Sequence, residues 1–437
     1  MKLNLIAAFL IFLLKGNTCF GQQDNVLAYL KTNAVSIDTH ADSLQGLSAL
    51  NEVFKDRRII GMGEATHGTQ EFQADKFLFF KYLVTQLNYK LFGIEANFTE
   101  CREVNDYVFY GKGDAKTAID GMYFWTWNTT EVLKMVEWMR SYNTNKPDNQ
   151  KIKFYGFDMQ YDVCAIQQVT QKLKKLDSVY FNANYSQLAH VDTVKGLYSP
   201  SVKMRRDSLL STLIVPLKTY VNSQENNLLK IYSKEEVAYT KQDIRLLEQY
   251  LDENWSAEKN LKVSRLASKK RDKYMAENIE WILEHEGPES KMMLWAHNYH
   301  VSKNEGINTN KTMGSYLKKL YKDQYYVIGF DFNKGSFRAV DAQTRKLKNF
   351  TVSEAKANSS GLFFAGLNMP EFFIDIEKAV KTNSPAKKFF ARKIAQRSLG
   401  STFNTDWKNG SYIIDPLYDY YDGLIFVNET TATMPLK

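Results

Sequence analysis

Short apolar runs, each ending abruptly at a polar residue, punctuate this chain: Arg58–Gly63, Lys90–Ile94, Ile152–Phe157, Met292–Ala296 and Tyr325–Phe330. None alternates strictly between apolar and polar positions, as a strand with one wet face would. Continuous apolar runs of this length suit strands buried on both faces of a parallel sheet. Patterns with helical spacing lie between them. From Thr69 onward, Phe72, Phe79, Phe80, Leu83, Val84 and Leu87 form one stripe, and Glu100–Tyr110 reads as a second helix. The alternation predicts an α/β fold, a mainly parallel sheet flanked by helices.

One long stretch breaks the alternation. Leu217–Glu286 contains neither Gly nor Pro, and Met275, Ile279, Ile282 and Leu283 recur at helical spacing. Residues 166–286 therefore read as a large helical insertion, with 22–165 and 287–437 as the two halves of the α/β catalytic domain. Gly287-Pro288 stops the helical block, and the chain re-enters the sheet at Lys291. Further on, Asn333-Lys334-Gly335 between two apolar runs predicts a hairpin, and Gly423–Val427 predicts a last strand.

The N-terminus adds a destination. Met1-Lys2, the apolar run Leu3–Leu14 interrupted by Asn4, and small residues at Cys19 and Gly21 read as an export signal over 1–21, placing the mature protein in the periplasm or outside the cell. No later stretch approaches the roughly 18 uncharged apolar residues of a spanning helix, so no membrane partner is expected after signal removal. The formal charge of +8 is dispersed along the 437 residues, with no long basic run, which argues against a nucleic-acid partner. Beyond the signal the cysteines are Cys101 and Cys164, which export would permit to pair; they show no zinc-site spacing.

Candidate chemistry lies just beyond the apolar runs. Glu64 and His67 follow the first, Glu95 the second, Asp158 the third, and His297 and His300 the fourth. Ligands of open α/β sheets bind outside the carboxyl ends of the strands, so parallel strands would bring these residues to one cleft. Lys76 falls within the buried stripe of the helix after His67; it needs either a carboxylate, Glu64 or Glu95, or a route for its stem to reach solvent. Arg102 poses the same question more weakly. Structural readings stand beside these: Glu64 and His67 as a capped turn, His297 and His300 as satisfied core imidazoles, and Asp158 as a helix cap.

Several chemistries drop out. Gly-x-Ser-x-Gly is absent, as is a Walker loop. His285-Glu286 is followed by Gly287-Pro288, which would break a zinc-protease helix, and Glu64 after Gly61-x-Gly63 would repel a pyrophosphate. Two readings remain. In one, a histidine activates water while carboxylates orient it and a second histidine or cation stabilises an oxyanion, with no cofactor. In the other, the same three histidines with Glu64, Glu95 and Asp158 hold a divalent transition metal.

Gly63–Phe72 (GEATHGTQEF), Gly93-Ile-Glu95-Ala, Phe154–Met159, Arg271–Asn278 and Trp295–Val301 (WAHNYHV) together resemble the erythromycin esterase family. The resemblance runs from about Leu47 to Leu436. It implies an α/β core with a helical segment over the active-site cleft, and hydrolysis of a macrolide lactone or other bulky small-molecule ester by activated water without a covalent serine intermediate. It further implies His67 as leading base, Glu64 and Glu95 as orienting carboxylates, His297 and His300 at the reacting carbonyl or sharing the proton traffic, and a basic residue at Lys76. With Lys76, the matched-motif residues Asp158 and Arg271 and the helix residue Arg102 are expected to bind substrate or support the site. Wider fold relatives that bind haem offer a ligand-binding alternative. An export signal departs from the cytoplasmic resistance enzymes of the family, and the insertion before Arg271 carries no family motif.

Overall fold

A computed structural model of the protein describes residues 24–38, 44–190, 200–257, 261–304, 311–406 and 411–436; the expected export signal lies outside them. The strands are β1 (Val35–Ser36), β2 (Ile59–Met62), β3 (Leu91–Asn97), β4 (Lys153–Asp158), β5 (Met292–Trp295), β6 (Tyr325–Asp341), β7 (Leu347–Val352), β8 (Glu371–Asp375), β9 (Lys393–Arg397), β10 (Thr402–Phe403), β11 (Tyr412–Pro416) and β12 (Gly423–Thr430). The result is a mixed α/β protein with a mostly parallel central sheet flanked by helices. By compactness the chain divides into two units: 1–93, 123–153 and 287–437 form the first, and 94–122 and 154–286 the second.

In the first unit the strands run in the order β1-β8-β12-β6-β2-β5. β12, β6, β2 and β5 are mutually parallel, whereas β8 joins β12, and β1 joins β8, in antiparallel fashion. Every residue of β2 and β5 is buried, which is why their sequences read as unbroken apolar runs. Met62 pairs with Trp295 at the carboxyl ends of β2 and β5, so the residues that follow each strand start from the same edge. The Gln70–Leu87 helix buries Phe72, Phe79, Phe80, Leu83 and Val84. Phe79 belongs to an aromatic cluster with Phe54, Tyr82 and Phe373. Each such phenyl group removed from water contributes about 2–3 kcal/mol.

The expected hairpin at Asn333-Lys334-Gly335 does not form. β6 continues through these residues as one strand to Asp341, pairing Lys334 with Glu429 and Gly335 with Thr430 of β12. Gly335 has φ +126°, and a Cβ there would stand 2.2 Å from the Thr430 carbonyl oxygen. The glycine serves a close strand approach, not a reversal. The reversal into antiparallel β7 comes after Asp341, whose carboxylate accepts from the backbone N–H groups of Gln343 and Thr344, with Arg345 at φ 58°.

The second unit holds β4 and most of β3, which are neighbours, together with helices that include Cys101–Tyr110, Val163–Leu176, Pro200–Ser223, Lys234–Ala257 and Leu261–Glu286. Its core joins Ile166, Val169, Leu173, Leu210, Leu217 and Leu247, and Met275, Ile279, Ile282 and Leu283 are also buried. The helical segment expected over 166–286 lies in this unit, which also takes in 94–122 and 154–165. Cys101 and Cys164 are both free thiols. Among the described residues no helix is long and apolar enough to cross a membrane.

Candidate active site

The site in the first unit is built where β2 and β5 end. Beyond Met62 the chain passes Gly63 to Glu64; beyond Trp295 it passes Ala296 to His297. The Ala296 N–H donates to the Met62 carbonyl and the Asn298 N–H to the Glu64 carbonyl at 2.9 Å, extending the strand pairing into the two loops. Gly63 is required by this approach, since a Cβ would stand 2.1 Å from Asn298 Oδ1. The Asn298 amide in turn accepts from the Phe330 N–H at 3.0 Å and donates to the Phe330 carbonyl at 2.8 Å, tying the second loop to β6.

Glu64 is fully buried and spends both oxygens. Oε1 lies 2.7 Å from His67 Nδ1; Oε2 accepts from the Trp295 indole N–H at 2.7 Å and from the Lys76 ammonium at 3.1 Å. Burial alone would push this carboxyl up, but the Lys76 charge, His67 and the Trp295 hydrogen bond outweigh it and hold Glu64 below its ordinary value. Lys76 is also 0 % exposed; it donates to the Phe72 carbonyl and lies 4.7 Å from the Trp295 ring centroid and 4.4 Å from that of Phe330. Burial lowers its pKa, against the opposing pull of Glu64. Of the two readings for Lys76, the carboxylate partner is the one realised, and the partner is Glu64.

The two neighbouring histidines differ in what their nitrogens do. A carboxylate on Nδ1 puts the proton of neutral His67 there and leaves the lone pair on Nε2, which has no hydrogen-bond partner among the described residues. The His67 side chain keeps 12 % of its surface exposed, so that lone pair belongs to a partly open imidazole. His297, with its ring centroid 5.1 Å from that of His67, is committed on both sides. Its Nδ1 accepts from the Tyr299 N–H at 3.2 Å, and its Nε2 therefore carries the proton, facing the Leu399 carbonyl at 3.1 Å. His300 sits on the Asn298–Val301 helical turn with its ring edge-on to Tyr299 at 5.2 Å.

Within the second unit, Glu95, Asp158 and Arg271 form a cluster. Arg271 Nε donates to both Asp158 oxygens at 3.1 and 3.2 Å, and its Nη2 donates to Asp158 Oδ2 at 2.6 Å and Glu95 Oε1 at 2.8 Å. Despite burial, these two carboxylates raise the Arg271 pKa still further. Asp158 is thus a partner of Arg271, and the following helix, Val163–Leu176, is preceded by Asp162, whose side chain makes no capping bond. Arg102 pairs with Asp243, to which Thr99 also donates. Among the described residues Glu64 is the carboxylate bonded to His67, while Glu95 is engaged by Arg271.

Sequence reasoning passed over Trp295, which ends an apolar run and reads as core, and Trp127, which lies between Thr126 and Asn128 outside the apolar runs. Trp127 packs edge-on against His67 at 6.3 Å and against Trp295 at 5.3 Å. The available signal was position: Trp295 ends β5 as Met62 ends β2. Among the described residues no group of three or more His, Cys, Asp or Glu side chains is arranged to hold a metal ion.

The chain is an α/β protein with a buried Glu64 bonded to His67 at the carboxyl edge of its sheet. The erythromycin esterase family model matches residues 84–430, and the chain belongs to that family. It is similar to the putative hydrolase YbfO of Bacillus subtilis, 24 % identical over 370 residues covering 79 % of this chain and 80 % of the relative. It is also similar to erythromycin esterase type II of Escherichia coli, 22 % identical over 371 residues covering 76 % and 84 %. A Bacillus cereus protein of known crystal structure shares the fold with a TM-score of 0.80 at 22 % identity, over 95 % of this chain and 99 % of that one.

Proposed function

We propose that the protein is a carboxylic ester hydrolase in which His67 activates the attacking water directly, with no covalent enzyme intermediate. The observation that carries this reading is the asymmetry of the two imidazoles. His67 offers a bare Nε2 while its Nδ1–H is held by Glu64; both nitrogens of His297 are bonded to the backbone. Nε2 takes a proton from water as the oxygen attacks the ester carbonyl, and the Glu64 carboxylate stabilises the imidazolium that results. The proton then passes to the leaving alkoxide. The substrate is a macrolide lactone or another bulky ester, as the names of the relatives suggest.

The test is incubation with erythromycin and a panel of bulky esters and lactones, following substrate mass. Gain of one water, with opening of the ester, supports the reading; an untouched panel removes it. Export is part of the proposal, and the apolar run Leu3–Leu14 is its support. The mature protein from its native cell should then begin near Gln22 and sit outside the cytoplasm; a cytoplasmic protein retaining Met1 would contradict export.

A further inference from the structure

The Glu64 carboxylate is contacted by two donors besides His67, and they differ in rigidity. Lys76 reaches Oε2 at the end of a flexible four-carbon stem, has three protons to place, and also donates to the Phe72 carbonyl. Trp295 has a single donor, the indole N–H, and spends it on the same oxygen at 2.7 Å. Its ring is held by the register of β5 on β2 and by edge-on packing against Phe92 at 6.3 Å and Trp127 at 5.3 Å. It is 1 % exposed.

We infer that Trp295 is a positioning residue: its indole N–H fixes the plane of the Glu64 carboxylate, so that Oε1 is presented to His67 Nδ1 and the His67 lone pair is confined to Nε2. The ammonium supplies the counter-charge and can follow the carboxylate as it turns; the indole cannot, because sheet and rings immobilise it. Without the N–H, the carboxylate turns with Lys76, Oε1 leaves Nδ1, and the neutral imidazole is free to carry its proton on either nitrogen. A base with its proton on Nε2 cannot accept one from water there.

The test is Trp295→Phe, which keeps an aromatic ring and deletes the donor, in full-length protein whose folding is checked by circular dichroism. Histidine selectively labelled with ¹⁵N reports the tautomer of each neutral imidazole at alkaline pH, with His67 assigned by its loss in His67→Asn. The wild-type protein should show His67 as the Nδ1–H form and Trp295→Phe a mixture or the Nε2–H form. A variant that retains the wild-type tautomer overturns the inference. If the variant does not fold, the indole N–H resonances of the other proteins decide. One of them should move between wild type and Glu64→Gln, and an unmoved set overturns the inference.

The kinetic consequence rests on the hydrolase reading. On an ester that the wild-type protein cleaves, Trp295→Phe should lower kcat about 10-fold and leave KM nearly unchanged. The two failures are distinguishable: no hydrolysis by wild type defeats the hydrolase reading, whereas an unchanged tautomer defeats the role of Trp295.

Discussion

His67 Nδ1 meets Glu64 Oε1 at 2.7 Å with only Ala65 and Thr66 between them in the chain, and the pair is set where β2 gives way to the Gln70–Leu87 helix. Near-sequence contacts of this kind are cheap to form, because the intervening loop has little freedom left to lose. The pair is the centre of the proposed chemistry and the first target for mutation.

His67→Ala should lower the rate of hydrolysis by on the order of 10²-fold or more, the scale of a lost general base. Steady-state kinetics, with unfolding midpoints showing the fold intact, measures this. A rate near wild type would make the imidazole structural.

Lys76→Met removes the counter-charge from a fully buried carboxylate. Loss of one partner of such a pair costs about 3–5 kcal/mol at neutral pH. Glu64 is held below its ordinary 4.5, so its contribution is present above 4.5 and lost as pH falls through the lower folded-state value. In the variant, burial acts without the ammonium and Glu64 protonates earlier. Urea unfolding should therefore find the two proteins converging as pH falls from 7 toward 4. A constant difference would contradict the ion pair.

Glu100 in the second unit makes a prediction of opposite sign. Burial, with Asp162 and Asp243 nearby, pushes its carboxyl from 4.5 to about 8, and among the described residues its Oε1 has no hydrogen-bond partner. The folded protein holds this proton and the unfolded chain does not, so stability is lost as pH rises from 4.5 through 8. Glu100→Gln should be the more stable protein at pH 9 and should flatten that decline. A parallel pair of stability curves for variant and wild type would show that the carboxyl ionises without cost.

Gly63→Ala tests the loop contact. The added methyl would stand 2.1 Å from Asn298 Oδ1, an overpacking that should cost about 1–3 kcal/mol and displace the turn that carries His297. Thermal melts should show a lower midpoint for this variant. An unchanged midpoint would mean that the two loops accommodate a side chain.

Much of the sheet was legible because buried parallel strands are written as short unbroken apolar runs, and β2, β3, β4, β5, the start of β6 and β12 lie on the runs singled out in the sequence. The residues just past β2 and β5 were legible for the same reason. The turn at Gly335 was not: Asn-Lys-Gly has the chemistry of a reversal, and the requirement that decides its geometry comes from Thr430, in another strand. Trp295 and Trp127 were not, because one indole N–H on a large apolar ring gives no sign of its partner.

The sequence by itself determined the alternation of strands and helices, the polar residues that end the strands, and the family. Those are properties of local periodicity and short motifs, which need no knowledge of what lies across the sheet. Tertiary structure decided the pairings: Lys76 with Glu64, Glu95 and Asp158 with Arg271, and His297 with the backbone of Tyr299 and Leu399. It thereby separated one imidazole with a bare nitrogen from another with none. Two histidines differ only in which donors and acceptors reach their ring nitrogens, and those arrive from segments as distant as Leu399, 102 positions beyond His297.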